Sequence, residues 1–266
     1  MTEITEKDSE RNFAAQLEAR IAAWGIPKEL VKGLTDFHTK ISFAPGEIIF
    51  RQGSSADILF WVVKGIVKET CTGSNGSRIV VRLLTVGEPL GIADQLNENG
   101  QWIRQFDAQA VNKCVLAIIT REQVRKLIRT LDHDALLELS ERMNSRWAHW
   151  VQYYAEFLGM TFRERLDLVL AELGRKFGVS DSDGILLTYE PGHSDLAEMI
   201  GSSRPMVSRL MSDSMREGEI ARRGPRYILL KGGTINAAAL RDPRFVSGPR
   251  APIDIIHSGK GSQAAA

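Results

Sequence analysis

The segment richest in chemistry is Asp195-Leu-Ala-Glu-Met-Ile-Gly-Ser-Ser-Arg-Pro-Met-Val-Ser-Arg-Leu210. Leu196 and Ile200 stand four apart, on one face of a short helix, Gly201 permits a sharp turn, and Ser202 or Ser203 can cap a second helix. Pro205 falls in the first turn of that second helix, where its missing N–H costs little. Val207, Leu210 and Met211 supply the inward face, which leaves Arg204, Ser208 and Arg209 outward. A guanidinium can donate two parallel hydrogen bonds to guanine in the major groove of a duplex, and a hydroxyl can serve bases or phosphates. The pattern therefore predicts a helix-turn-helix whose second helix reads base edges, against the alternative of a solvated basic helix face.

The flanking residues extend the same chemistry. Gly218-Glu-Ile220 stops the second helix, and Ala221-Arg-Arg-Gly-Pro-Arg-Tyr-Ile-Leu-Leu230 reads as a β-hairpin with Arg222, Arg223 and Arg226 at its tip, where cations would meet a phosphate backbone. Upstream, Ile185-Leu-Leu-Thr-Tyr189 reads as a short strand, and Gly192-His-Ser-Asp195 as a helix start whose carboxylate complements the helix dipole. From Ser202 to Gly232 the cations Arg204, Arg209, Arg216, Arg222, Arg223, Arg226 and Lys231 outnumber Asp213, Glu217 and Glu219, although the whole chain carries a formal net charge of only +1. The basic footprint is local.

These residues need elements to hold them. Leu136, Leu139, Met143, Trp147, Trp150, Tyr154 and Phe157 alternate steps of three and four along a helix expected from near Asp132 to about Leu158. That seam suits a partner helix; its alternative is packing against its own domain, and its aromatics are bulky enough to do so in part. A further amphipathic helix follows Gly159, with Phe162, Leu166, Val169, Leu170 and Leu173 on one face. Before the seam, Ile48-Ile-Phe50, Ile58–Val63, Gly65-Ile-Val67, Ile79-Val-Val81 and Val115–Ile119 form short β-branched and aromatic runs between turn signals such as Gly73-Ser-Asn-Gly76. This spacing signals a β-sandwich or barrel, with a tight hairpin at Asn75-Gly76. Residues 9–37 read as a short helical lead-in and residues 233–266 as a mobile tail.

Composition narrows the classes. The 266 residues, 43% hydrophobic and 25% charged, can bury a core and suggest two domains; a polar, acidic start and the lack of a long apolar run argue against secretion and membrane insertion, which leaves the cytoplasm. Cys71 and Cys114 are too few for an iron–sulfur cluster or a disulfide framework, and a lone cysteine such as Cys71 is more often a small apolar residue than a haem ligand. A cupin-like metal enzyme would need imidazoles inside the barrel, yet His38, His133, His149, His193 and His257 all fall outside residues 41–120. No catalytic pairing is legible, so no catalytic or metal residue is assigned, and the remaining alternative is a small-molecule-binding regulatory protein that never touches DNA.

The order of β-roll, seam helix, D-L-A-x-x-I-G-x-S-R-x-x-V-S-R and basic wing over about residues 40–231 resembles the Crp/Fnr superfamily. The resemblance implies an α+β fold: a lead-in over 1–38, a cyclic-nucleotide-binding-like antiparallel β-roll over 39–130, a dimerisation helix over 131–159, a winged helix-turn-helix over 160–232 and a tail over 233–266. It implies DNA contacts by Ser203, Arg204, Ser208 and Arg209, by His193 and Ser194 at the first helix's start, and by Arg222, Arg223 and Arg226 in the wing. Pro205 stands where the family commonly has glutamate, which puts the familiar half-site in doubt because proline offers cytosine no acceptor. In nucleotide-binding members a Gly-Glu-Leu-like turn and an Arg-Ser or Arg-Thr pair hold the ligand. Here Gly91, Ile92, Ala93, Arg104 and Gln105 occupy the corresponding stretch, so cyclic nucleotide is not favoured. The implied partners are a near-palindromic duplex, a second copy of the chain and, for an activator, RNA polymerase.

Overall fold

The structure is a computed structural model; it describes residues 39–241 and divides into two compact units, Met1–Leu158 and Gly159–Ala266. The helical lead-in expected over residues 9–37 lies outside the described residues.

In the first unit, strand-forming runs give β1 (Thr39–Phe43), β2 (Ile48–Phe50), β3 (Ile58–Lys64), β4 (Val67–Thr72), β5 (Arg78–Leu84), β6 (Pro89–Leu90), β7 (Gln95–Leu96), β8 (Trp102–Ile103), β9 (Asp107–Ala110) and β10 (Cys114–Thr120). They pair antiparallel as two four-stranded sheets, β1-β10-β3-β6 and β2-β9-β4-β5, with β7-β8 as a separate ribbon. Side chains alternate across each strand, so Phe60 and Val62 of β3 and Leu116 of β10 meet Val67 of β4, Leu84 of β5 and Ala108 of β9 in one apolar core. The β4–β5 hairpin forms around Asn75 and Gly76, but its turn spans Gly73–Ser77, where the Gly73 and Ser77 backbones pair at 2.8 Å and Asn75 Oδ1 accepts the Ser77 N–H at 3.0 Å.

After the strands come α1 (Arg121–Ile128), closed by a Thr120–Gln123 capping box that the sequence reading passed over, and α2 (His133–Gly159). The expected seam divides in two. Toward the β-roll, Trp150 stacks 5.5 Å from the Arg82 guanidinium and the Tyr154 hydroxyl lies 3.5 Å from the Val81 carbonyl oxygen, while Phe157 is buried. Leu136, Met143 and Trp147 remain exposed, joined by Leu137, Val151 and Leu158, while Leu139 is half-buried.

The second unit contains α3 (Phe162–Phe177), β11 (Gly178–Asp181), β12 (Gly184–Leu187), α4 (His193–Ile200), α5 (Arg204–Arg216), β13 (Ile220–Arg223), β14 (Arg226–Leu230) and α6 (Thr234–Arg241). Its sheet runs β11-β12-β14-β13, all antiparallel. Leu166, Val169, Leu170 and Leu173 of α3 are buried as expected. Phe162 is not: as the first residue after the Thr161 cap it lies exposed, with the Arg165 guanidinium 5.4 Å above its ring. The mobile-tail expectation is corrected over 234–241. Glu219 supplies the missing helix start from outside, accepting from Thr234 Oγ1 at 3.0 Å and from the Ile235 N–H at 3.1 Å, and Ile235 and Asn236 are buried.

Candidate nucleic-acid interface

Two helices and a hairpin build the site. Gly201 ends α4 at φ +68°, a left-handed conformation that lets the chain reverse, and its N–H and that of Ser202 both bond back to the Ala197 carbonyl. Ser203 then caps α5, its hydroxyl accepting from the Met206 N–H at 3.4 Å, with Pro205 in the first turn. Leu196, Ile200, Val207 and Met211 are buried between the two helices and their supports. Outside contacts brace both ends: Arg165 Nη1 of α3 donates to the Ile200 carbonyl at 3.2 Å, and Arg163 bonds Asp167 at 2.9 Å and Glu217, past the end of α5, at 2.8 Å.

With the inner face fixed, Arg204, Pro205, Met206 and Arg209 lie exposed on α5, and neither arginine has a partner among the described residues. The sequence reading assigned Arg204 and Arg209 outward and left out Met206, which lies three positions before Arg209 on the same face and could touch a thymine methyl. Ser194 is also exposed, in the first turn of α4.

Ser208 is placed differently from expectation. It is half-buried, and its hydroxyl lies 2.9 Å from His193 Nδ1. His193 Nε2 lies 3.4 Å from the Tyr227 hydroxyl, which accepts from Arg222 Nη2 at 3.0 Å; Arg222 also reaches Glu190 at 3.4 Å and stacks 4.5 Å above the Tyr227 ring. A neutral imidazole, which donates from one ring nitrogen and accepts at the other, satisfies both hydroxyl neighbours. Burial, and then repulsion from Arg222 and Arg204, holds its pKa below the ordinary imidazole value, favouring that neutral ring. His193, Ser208 and Arg222 thus form a polar chain that ties the recognition helix, the start of α4 and the wing together.

The wing turns at Gly224-Pro225, where Gly224 has φ +60°, as a two-residue hairpin loop of the primed kind requires. Its three arginines are not equivalent. Arg223 bonds Asp181 Oδ2 at 2.5 Å and also pairs with Asp183, both presented by the β11–β12 turn. Arg226 is exposed and without a partner among the described residues. Sequence reasoning missed Asp181, Asp183, Tyr227 and Glu190; the Asp-Gly turn signal at 183–184 was visible, but its reach to a residue 40 positions on was not.

In the β-roll, Gly91 is buried, Ile92 half-buried and Ala93 exposed, and Gln105 bonds the Ile103 carbonyl at 3.3 Å. Arg104 is buried against Asp94 and Phe50. Among the described residues no three of His, Cys, Asp and Glu cluster to hold a metal, and no helix is long and apolar enough to cross a membrane.

Comparison with known proteins matches residues 40–131 to the cyclic nucleotide-binding domain family and residues 164–232 to the Crp-like helix-turn-helix domain family. The chain is 30% identical over 179 residues to the global nitrogen regulator of Synechocystis sp., covering 67% of this chain and 78% of that protein. A transcriptional regulator of the CRP family from Thermus thermophilus superposes with a TM-score of 0.57 at 25% identity, over 75% of this chain and 96% of its own. The c-di-GMP-responsive global regulator CLP of Xanthomonas campestris does so with a TM-score of 0.61 at 21% identity, over 76% of this chain and 98% of its own.

Proposed function

For a chain that belongs to the Crp/Fnr family of transcription regulators, we propose sequence-specific binding of double-stranded DNA by a homodimer, with the β-roll setting the state of the DNA-binding unit. One observation carries this: Arg204 and Arg209 stand exposed and without partners among the described residues, on a capped helix whose opposite face is buried through Val207 and Met211. Each bidentate guanidinium–guanine pair is worth about 1–3 kcal/mol of discrimination, and Arg226 adds affinity that does not depend on sequence. Ser203, Ser194 and Met206 line the same exposed surface, while His193, Ser208, Arg222 and Arg223 act first by holding it in shape.

The dimer is proposed through the exposed apolar residues of α2, Leu136, Met143, Trp147 and Val151, which repeat at helical spacing on the side of α2 left open. A two-fold pair of recognition helices calls for a near-palindromic site with half-sites about 34 Å apart. As a regulator rather than an enzyme the chain works in the cytoplasm on chromosomal DNA, and as an activator it would meet RNA polymerase there. Fluorescence anisotropy with excess competitor duplex tests the reading: specific sites survive the competitor, and binding that the competitor removes completely contradicts it.

A further inference from the structure

The β-roll holds a second cluster of charge that the DNA interface does not use. Asp94 Oδ2 accepts from Arg104 Nη1 and from Arg121 Nη2, each at 2.8 Å, and the side chains of Asp94 and Arg104 are both only 3% exposed. Most of the remaining guanidinium N–H groups bond backbone carbonyls. Arg104 Nη2 donates to the Ile58 carbonyl, and Arg121 donates to the carbonyls of Ala56 at 2.5 Å and Gly91 at 3.0 Å. Phe50 lies 4.0 Å from the Arg104 guanidinium carbon and Trp102 lies 3.9 Å from that of Arg121, so aromatic faces cover both. Arg104 crosses Gly91 so closely that a β-carbon at that position would strike its Nη1.

The family resemblance assigns this place to a ligand phosphate, and the residues do not fit one. No glutamate follows Gly91, Gln105 stands where a hydroxyl would follow the arginine, and the two guanidinium groups already grip a carboxylate. Charge leads the same way. The carboxylates Asp94, Asp57 and Glu69 interact with Arg104, Arg121 and Arg82; the exposed Arg125 also acts on Arg121, and Arg146, which acts on Arg82, is itself answered by Glu88. An added cyclic phosphodiester would bring a negative charge into a low-dielectric interior whose cations are already matched. Among the described residues Arg104 Nε has no partner, but one N–H is a weak hold compared with a bidentate grip.

We infer that Asp94 is a built-in counter-ion: the chain's own carboxylate fills the anion seat of the β-roll, so the roll takes no cyclic nucleotide. This rests on the regulator reading only for its consequence, that DNA binding needs no nucleotide. The test uses the full chain without DNA, in calorimetry and thermal melts with cyclic AMP, cyclic GMP and inorganic phosphate at constant ionic strength. The wild type gives neither saturable heat nor a shift in Tm. Asp94→Ser vacates the seat, so phosphate at about 100-fold excess over its Kd raises Tm by about 3 °C or more, and adding Arg104→Gln removes the gain.

Saturable binding of either nucleotide by the wild type overturns the inference. So does an Asp94→Ser protein with the wild-type circular dichroism spectrum and no response to phosphate. Should Asp94→Ser fail to fold in chloride, refolding restored by phosphate supports the inference, and no rescue at any phosphate concentration counts against it. Anisotropy on duplex DNA without nucleotide, run in the same buffers, separates the two readings: a protein with no attraction to DNA sinks the regulator reading and leaves the anion results standing.

Discussion

Replacing Arg226 and Arg223 by alanine, one at a time, should separate two arginines that stand on the same hairpin. Arg226 is free to displace a counterion from a phosphate, whereas Arg223 is already matched by Asp181 and Asp183. Each neutralised phosphate contributes about 0.9 to the slope of log K against log salt, so Arg226→Ala should flatten that slope by about 0.9. Between about 50 and about 200 mM salt, the ratio of wild-type to Arg226→Ala affinity should then shrink by about 3.5-fold. Arg223→Ala should leave the slope within error of wild type, since its charge is returned to its own carboxylates. Anisotropy titrations on a non-specific duplex at four salt concentrations read both slopes. Equal flattening by the two variants, or a larger effect from Arg223→Ala, would refute the distinction drawn between paired and free wing cations.

Four further outcomes are expected. Arg209→Ala should cost about 1–3 kcal/mol on a specific site and little on random duplex, as competition binding would reveal; equal losses on both would contradict base reading. Met143→Glu with Trp147→Glu, both on the exposed side of α2, should yield monomers in sedimentation, and an unchanged mass would remove this helix face from the dimer. The neutral His193 ring gives stability that is present above the ordinary imidazole pKa of about 6.5 and declines as pH falls below it, because the unfolded ring takes up the proton first. His193→Gln should therefore flatten the fall in Tm on acidification, and melts from about pH 7.5 to about pH 5 that overlay the wild type would contradict the polar chain. Leu196→Ala, at a fully buried site under the helix-turn-helix, should cost about 2–5 kcal/mol in urea unfolding, and a loss within error of zero would contradict the packing.

Much of this was legible in the sequence because the relevant signals are local. A serine, a proline and a glycine fix the caps and turn of α4 and α5 within a few residues of themselves, so the outward set of Arg204 and Arg209 follows from helical spacing alone. The β-roll strands are likewise marked by β-branched runs between turns. What stayed hidden depends on distant partners. Arg223 and Arg226 look alike in sequence, and only the fold brings Asp181 and Asp183 to one and not the other. Ser208 spaced as a base reader but meets His193, and nothing in the spacing of Arg104 shows that Asp94, Arg121 and Phe50 bury it. The helix α6 escaped because its start is capped by Glu219 rather than by a residue of its own. The seam of α2 was legible as a period, but periodicity cannot say that Trp150 and Tyr154 turn to the β-roll while Met143 and Trp147 stay open.

The most direct measurement is selection of duplexes from a random pool by the full-length protein, beside Arg204→Ala/Arg209→Ala, with sequencing of what is retained. Base reading by Arg204 and Arg209 predicts that the wild type enriches a near-palindromic sequence with guanines in each half-site, and that the double variant holds DNA without enriching any. Identical enrichment by both proteins, or a wild type that retains no duplex beyond background, would contradict it.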